Sequence, residues 1–321
     1  QVSEYSVLVT VVNDGSTDKT LSIINEWALK DKRIKIINQV NKGAIEARKA
    51  GLDKCNGKYV LFVDGDDWLE LNAIERLYNE IEQDQADIVV YNSYIVDDFG
   101  RKIVRSFNIE IYNDKDLLKN LLIGKSSPFL WDKFIRKSFI IENKVKFPKE
   151  VSYSEDLAAL VEIYSKHPKV SVLGEELYNY YQRVDSATKQ LNNKSLDICK
   201  SIDFIHEVLE ENKLYNIFLD ELEMCIYLNL FIYVVINFNK HNAYNKSLYR
   251  MYKKKNINII KNQYINEHIG SYNKNGQVRI RLYNRSYYLG CFYDYIRKII
   301  KCIIIKNDIM TPSLPKFTKR K

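Results

Sequence analysis

An apolar run, Tyr59 to Val63, leads directly into Asp64-Gly65-Asp66-Asp67-Trp68 and so brings three carboxylates to the point where a buried strand surfaces. Crowded carboxylates repel one another and raise each other's pKa, which makes the junction costly unless a cation sits among them. Oxygen ligands of this kind suit Mg²⁺ or Mn²⁺, which keep coordination positions open for substrate phosphates. The plain alternative is a solvated acidic turn that caps the next helix.

Three further stretches carry residues of chemical interest. Asp14 stands one residue past an apolar run, in Val12-Asn13-Asp14-Gly15-Ser16-Thr17-Asp18, where a carboxylate can accept hydrogen bonds from a base or ribose. Gly15 permits a tight turn there, and Ser16, Thr17 or Asp18 can cap the helix that follows. Arg48 lies in Gly43 to Gly51, at the start of a helix whose amides and guanidinium can both face an anion. Its ordinary alternative is a surface ion pair. Glu155 and Asp156 open a helical segment read as amphipathic, Leu157 to Tyr164, and acidic residues are favoured at a helix start by the dipole alone. Trp131-Asp132-Lys133 and Tyr178 to Arg183 read, taken singly, as packing with solvated charges.

The elements that must position these residues follow from periodicity. Strands are expected at Tyr5 to Val12, Ile34 to Ile37, Tyr59 to Val63 and Asp87 to Tyr91, and helices near Lys19 to Leu29, Ala44 to Lys54 and Ala73 to Glu82. Alternation of this kind predicts crossovers and a mainly parallel sheet, with ligands beyond the carboxyl ends of the strands. Asp14 and Asp64 to Asp67 should then share a rim. Asp97 to Gly100 reads as a turn between extended segments, Asp114 to Ile123 as a helix, and Ser126-Ser127-Pro128 as a break. From Asn193 onward apolar residues recur at helical spacing, as at Ile198, Ile202, Ile205 and Leu209. The expected organisation is an α/β portion, 1–192, and a helical portion, 193–321.

The chain has 321 residues and a net charge of +8, unevenly divided. From Lys246 onward there are 18 Lys or Arg against 3 Asp or Glu, leaving 31 against 38 before it. A basic segment interleaved with Tyr, Phe and Ile, especially Arg279 to Lys306, suits an anionic membrane surface, with a solvated basic helix as the alternative. The longest apolar run, Leu228 to Phe238, contains two Asn and is too short to span a bilayer, so a core helix is expected. Five cysteines without paired spacing fit a reducing, cytoplasmic setting, and four scattered histidines offer no zinc site.

In order and spacing, Val12 to Asp18, Asn41-Lys42-Gly43 through Ala47-Arg48 to Gly51, Val63 to Trp68, Trp131-Asp132-Lys133, Glu155-Asp156 and Tyr181 to Ser186 resemble the motif series of family-2 inverting glycosyltransferases with the GT-A fold. The resemblance implies a sheet flanked by helices that binds a nucleotide-diphospho-sugar. It implies that Asp14 contacts the donor's base or ribose, that Arg48 lies near the nucleotide, and that Asp64 and Asp66 form the Asp-x-Asp pair holding ribose and metal. Asp67 would support that pair, Asp156 would be the general base with Glu155 beside it, and Trp131 and Asp132 would shape the acceptor pocket. The implied cofactor is Mn²⁺ or Mg²⁺. The implied partners are a nucleotide-sugar donor, of the UDP type, and a glycan or lipid-linked acceptor, in surface glycan synthesis; no nucleic acid is expected. Family members usually begin with a further strand and helix, which the opening residues Gln1 to Tyr5 do not match, and Lys49 and Gly65 stand where the family often has Asn and Ser. The competing expectation is an inactive, glycosyltransferase-like subunit that binds a partner.

Overall fold

The computed structural model describes residues 6–106, 116–182, 193–237 and 243–310, without the side chains of 193, 194, 233, 234, 237, 243 and 301–310. Strand β1 (Val9–Asp14), helix α1 (Thr20–Lys30) and β2 (Ile34–Gln39) form a crossover unit whose two strands pair in parallel, Val9 against Ile34 and Asp14 against Gln39. Helix α2 (Ala44–Lys54) packs on β1, and Gly51 brings the backbone close: a Cβ there would lie 3.4 Å from Val12 Cγ2.

The second sheet has six strands. It contains β3 (Tyr59–Leu61), β4 (Trp68–Leu69), β5 (Ile88–Val96), β6 (Lys102–Arg105), β7 (Lys133–Arg136) and β8 (Val170–Tyr181), in the order β3-β7-β5-β8-β4 with β6 on the far part of β5. Helix α3 (Ala73–Gln83) covers one face through Ala73, Leu77 and Ile81, one apolar stripe at a spacing of four. Strand β5 runs through the middle, and its first six residues are buried, as a strand covered on both faces must be.

The expectation of a mainly parallel sheet needs correction. Among the described residues only the β1–β2 and β5–β8 pairings are parallel, while β3–β7, β4–β8, β5–β6 and β5–β7 are antiparallel. Strand β7 enters between β3 and β5 after the turn at 126–132, and β1 and β3 fall in separate sheets. The β5–β6 turn forms as expected, with Gly100 at φ +74° and its N–H donating to Asp97 O at 2.9 Å.

Helices α4 (Leu117–Leu122), α5 (Lys137–Glu142) and α6 (Glu155–Tyr164) complete the α/β portion. Residues Asp156 to Tyr164 of α6 are all buried, so this is an interior helix and not the amphipathic one expected. Of the expected Asp114 to Ile123 helix, Asp114 lies outside the described residues, as do Tyr5 and Arg183 to Ser186.

A single-turn helix at Asn193–Asp197 leads into α7 (Ile198–Glu211), which buries Ile198, Ile202, Ile205 and Leu209. Helix α8 (Leu219–Ile226) continues as a wide, π-helical segment, Tyr227–Asn237, with Tyr227, Leu230 and Phe231 fully buried, a core helix as its composition predicts. The chain goes on through α9 (Ala243–Lys254), α10 (Gln263–Gly270), α11 (Lys274–Arg285) and α12 (Tyr287–Met310). One continuous apolar core joins Ile45, Val60 and Leu160 of the α/β portion to Ile202, Phe231 and Tyr283 of the helical portion.

Candidate functional site

Asp14 ends β1 with its carboxylate turned toward the start of α2. It accepts from Gln39 Nε2 at 2.9 Å, Lys42 N at 2.9 Å and Gly43 N at 2.8 Å. Gly43, at φ +92°, precedes the helix with no side chain to cap it, and the Asp14 carboxylate holds the two amides just before the first turn, close to the end of the helix that the dipole makes positive. Beside it Gly15 has φ +74°, and a Cβ there would lie 2.6 Å from Asn41 N. The ends of β1 and β2 and the beginning of α2 are thus locked together.

One turn into α2, Arg48 forms the hub of the site. Its Nη2 donates to Asp64 Oδ1 at 2.8 Å, its Nη1 donates to Asp156 Oδ1 at 2.6 Å, and Glu155 Oε1 lies 3.7 Å from Nη1. Only 12% of the arginine side chain is exposed. Burial alone would push its pKa down, but the three carboxylates hold it above the ordinary value.

Asp156 sits in the first turn of α6 after Ser154, whose backbone is left-handed at φ +57°. Besides the arginine it accepts Leu130 N on Oδ2 at 3.0 Å. Burial raises its pKa to about 7, against the lowering pull of Arg48 and with a further upward push from Glu155.

The acidic turn after β3 spreads its three side chains apart. Asp64 turns to Arg48. Asp67 accepts from Tyr178 OH at 2.7 Å and from Tyr181 N at 2.8 Å, and burial raises its pKa to about 6. Asp66 is exposed. Tyr178 OH also accepts Asp64 N at 3.1 Å, so one phenol spans both carboxylate-bearing residues. Among the described residues no three His, Cys, Asp or Glu side chains converge as metal ligands. Asp64 and Asp67 each have protein partners of their own, Arg48 for the one and the Tyr178 hydroxyl with the Tyr181 amide for the other.

Trp131 and Asp132 lie in the interior. Trp131 is stacked between Phe129, at 5.2 Å, and Tyr178, at 4.5 Å, with Tyr180 at 5.7 Å and the Arg105 guanidinium 5.6 Å from its ring. Asp132 is fully buried; it pairs with Lys133 Nζ and accepts from Ser127 Oγ. Burial lowers the pKa of Lys133, whose ammonium also donates to Phe129 O at 3.1 Å. Both residues reach the site through this stack and the 127–132 turn, which also supplies Leu130 N to Asp156.

Arg48, Asp64, Glu155 and Asp156 thus meet directly, Asp67 joins them through Tyr178, and Asp14 fixes the helix that carries Arg48. Lys133 and Tyr178 enter the sequence analysis only within the stretches 131–133 and 178–183, and neither has a role in the site there. The alternation of β8 holds the missed signal: residues two apart share a strand face, and Tyr178 and Tyr180 both stack on Trp131. A cavity of about 890 Å³ lies elsewhere, lined by Lys49, Leu52, Lys137, Ile140, Phe147 and Lys200 among others, and none of the candidate carboxylates faces it.

The helix-flanked α/β sheet agrees with the GT-A fold that the motif series implies. Residues 3–140 match the family described as "Glycosyl transferase family 2". A cholesterol galactosyltransferase of Borreliella burgdorferi is 30% identical over 273 residues, covering 78% of this chain and 74% of that protein. The chain belongs to glycosyl transferase family 2. It is also 32% identical over 183 residues to a poly(ribitol-phosphate) beta-glucosyltransferase of Bacillus spizizenii, an alignment over 56% of this chain and 27% of that protein. In fold it is similar to residues 1–349 of Staphylococcus aureus TarS, solved in complex with UDP-GlcNAc, with a TM-score of 0.63 at 18% identity over 89% of this chain and 80% of that one.

Proposed function

We propose that the protein transfers a sugar, with inversion at the anomeric carbon, from a nucleotide-diphospho-sugar of the UDP type to an acceptor hydroxyl in surface glycan synthesis. The observation that carries this reading is the Arg48 bridge between Asp64 and Asp156, since it holds a buried carboxylate of pKa about 7 beside the acidic turn. A general base works best with a pKa near the operating pH. In this scheme Asp156 takes the proton of the acceptor hydroxyl as its oxygen bonds to the anomeric carbon from the face opposite the donor's diphosphate. The carbon–oxygen bond to the diphosphate breaks, and the leaving group keeps the electron pair. Burial keeps the pKa of the base high, Glu155 adds to the rise, and Arg48 keeps it from rising further.

The other site residues take supporting roles in the proposal. Asp14 orders the loop before α2 and, with one acceptor position left over, meets the nucleoside. Asp64 lies against the ribose. The donor set fits a divalent ion in one form: an exposed carboxylate, Asp66, with the remaining positions filled by diphosphate and water, which is how Mg²⁺ is commonly held. Charge building on the departing diphosphate is what Mn²⁺ or Mg²⁺ there would offset. Trp131 and Asp132 back the acceptor side by fixing the 127–132 turn. We further propose that 1–192 form the catalytic part and 193–321 a helical part sharing its core, and that the chain works in the cytoplasm, in keeping with free thiols at Cys55, Cys199, Cys225 and Cys291.

The test is UDP release from a panel of UDP-sugars with Mn²⁺ and candidate acceptors. Activity is expected in the wild type and is lost on Asp156→Asn and on Asp66→Ala. A wild-type chain that binds no nucleoside diphosphate in a thermal-shift titration would refute the proposal and leave a partner-binding subunit in its place.

A further inference from the structure

The basic C-terminal region plays no part in the chemistry above. The structure fixes how α12 is turned. Tyr287, Gly290 and Asp294 face inward: Asp294 accepts from Arg279 Nε at 2.7 Å, Arg279 Nη2 at 2.9 Å and Tyr283 OH at 2.7 Å, and the Tyr283 ring fills the space where Gly290 has no Cβ. This buried pair and close packing hold α11 and α12 as a rigid hairpin.

The opposite side of α12 is a continuous apolar stripe facing outward. Tyr288, Phe292, Tyr295 and Ile299 follow one another at four-, three- and four-residue steps, and Leu289, Ile296 and Ile300 repeat the pattern alongside. All seven are exposed, Tyr288 at 65%, Phe292 at 64% and Tyr295 at 62%. Scattered apolar residues on a surface are ordinary, but a row of seven along one helix face marks an interaction surface.

Its surroundings are basic. Lys246 Nζ donates to Tyr288 OH at 2.6 Å and stands 5.0 Å from its ring, and Arg297 lies 5.9 Å from the Tyr293 ring. Arg281, Arg285, Arg297 and Lys298 are exposed and make no ion pair among the described residues. Between Lys274 and Ile300 the sole acid is Asp294, which is turned inward. A second copy of the chain seated on this stripe would set these cations against their own kind. None of the described helices is long and apolar enough to cross a membrane. An apolar, aromatic face bordered by cations is the character of a helix lying in the plane of an anionic bilayer.

We propose that the exposed face of α12, bordered by Lys246, Arg297 and Lys298, docks the protein onto an anionic lipid surface. The apolar side chains enter the headgroup region and the cations meet lipid phosphates. This surface shares no residue with the Arg48–Asp156 site, so the two proposals stand or fall separately.

The experiment is sedimentation of the full chain with phosphatidylcholine vesicles, with and without phosphatidylglycerol. Binding is expected only with the anionic lipid and weakens as salt is raised. Phe292→Ala with Tyr295→Ala lowers the partition coefficient about tenfold or more, from the apolar area withdrawn from water. Arg297→Glu with Lys298→Glu lowers it and flattens the salt dependence, while Asp156→Asn leaves it unchanged. All of these side chains except Asp156 are exposed, so thermal unfolding of the surface variants matches the wild type. No binding, equal binding to neutral vesicles, or binding indifferent to Phe292 and Tyr295 overturns the proposal. So does a concentration-dependent dimer abolished by the same substitutions, or retention on DNA that accounts for all the charge sensitivity.

Discussion

If Asp156 is the base and Arg48 holds its charge, replacing Arg48 by Gln must move the pH dependence of catalysis in a calculable direction. In the wild type kcat/KM should rise tenfold per pH unit up to about 7, where Asp156 loses its proton, and level off above. The guanidinium sits at hydrogen-bond distance, 2.6 Å from Nη1 to Oδ1. Two unit charges about 4 Å apart in an effective dielectric of about 20 interact by about 4 kcal/mol. A pKa moves one unit for about 1.4 kcal/mol, which sets an upper bound of about three units. Neighbouring opposite charges shift carboxylates by about 1 to 3 units, so the inflection of the Arg48→Gln enzyme is expected between about 8 and 10. At the middle of that range the ionised fraction at pH 7.5 falls roughly twenty-fold and is recovered by pH 10. Glu155→Gln has the opposite sign, because Glu155 raises the same pKa, and its inflection should fall below 7. The assay is a pH series of UDP release at low donor concentration, and the readout is the position of the inflection rather than the height of the plateau. An unmoved inflection in Arg48→Gln, or displacement of both variants in the same direction, would refute the assignment of the base.

Other consequences concern the parts around the base. Asp156→Asn, which keeps the size of the side chain but cannot take a proton, should lower kcat by about 10² to 10⁴ without abolishing UDP binding, measured by calorimetry. Lys133→Met leaves the fully buried Asp132 without its cation and should cost about 3–5 kcal/mol in urea unfolding, whereas the double change with Asp132→Leu should recover most of it. Gly15→Ala meets both a positive φ and Asn41 N at 2.6 Å, and should cost about 1–3 kcal/mol together with a rise in donor KM, because the same turn positions Asp14. Chelation by EDTA should remove activity, and added Mn²⁺ should restore it in the wild type but not in Asp66→Ala; full activity in EDTA would exclude the metal from the mechanism.

What the sequence made legible follows from the range of the interactions involved. The crossover unit β1-α1-β2, helices α2 and α3 and the inward face of α7 are each set by local apolar period, and each was expected within a few residues of where it lies. Strand β7 was not, because Lys133 and Arg136 bound it and charged residues read as surface; only the pairing of Lys133 with Asp132 lets that strand enter the sheet. Without β7 the remaining strands imply a parallel arrangement that the molecule does not have. The acidic turn shows the same limit at the site. Its carboxylates were visible as a cluster, and a cluster seen alone calls for a cation. The groups that meet the charge are Arg48, 16 residues before Asp64, and Tyr178, 114 residues after it. Donors so far along the chain leave no trace in spacing, and whether crowded acids need a metal is decided by what folds against them. Asp66, the most exposed residue of the three, is therefore the side chain on which the metal question rests.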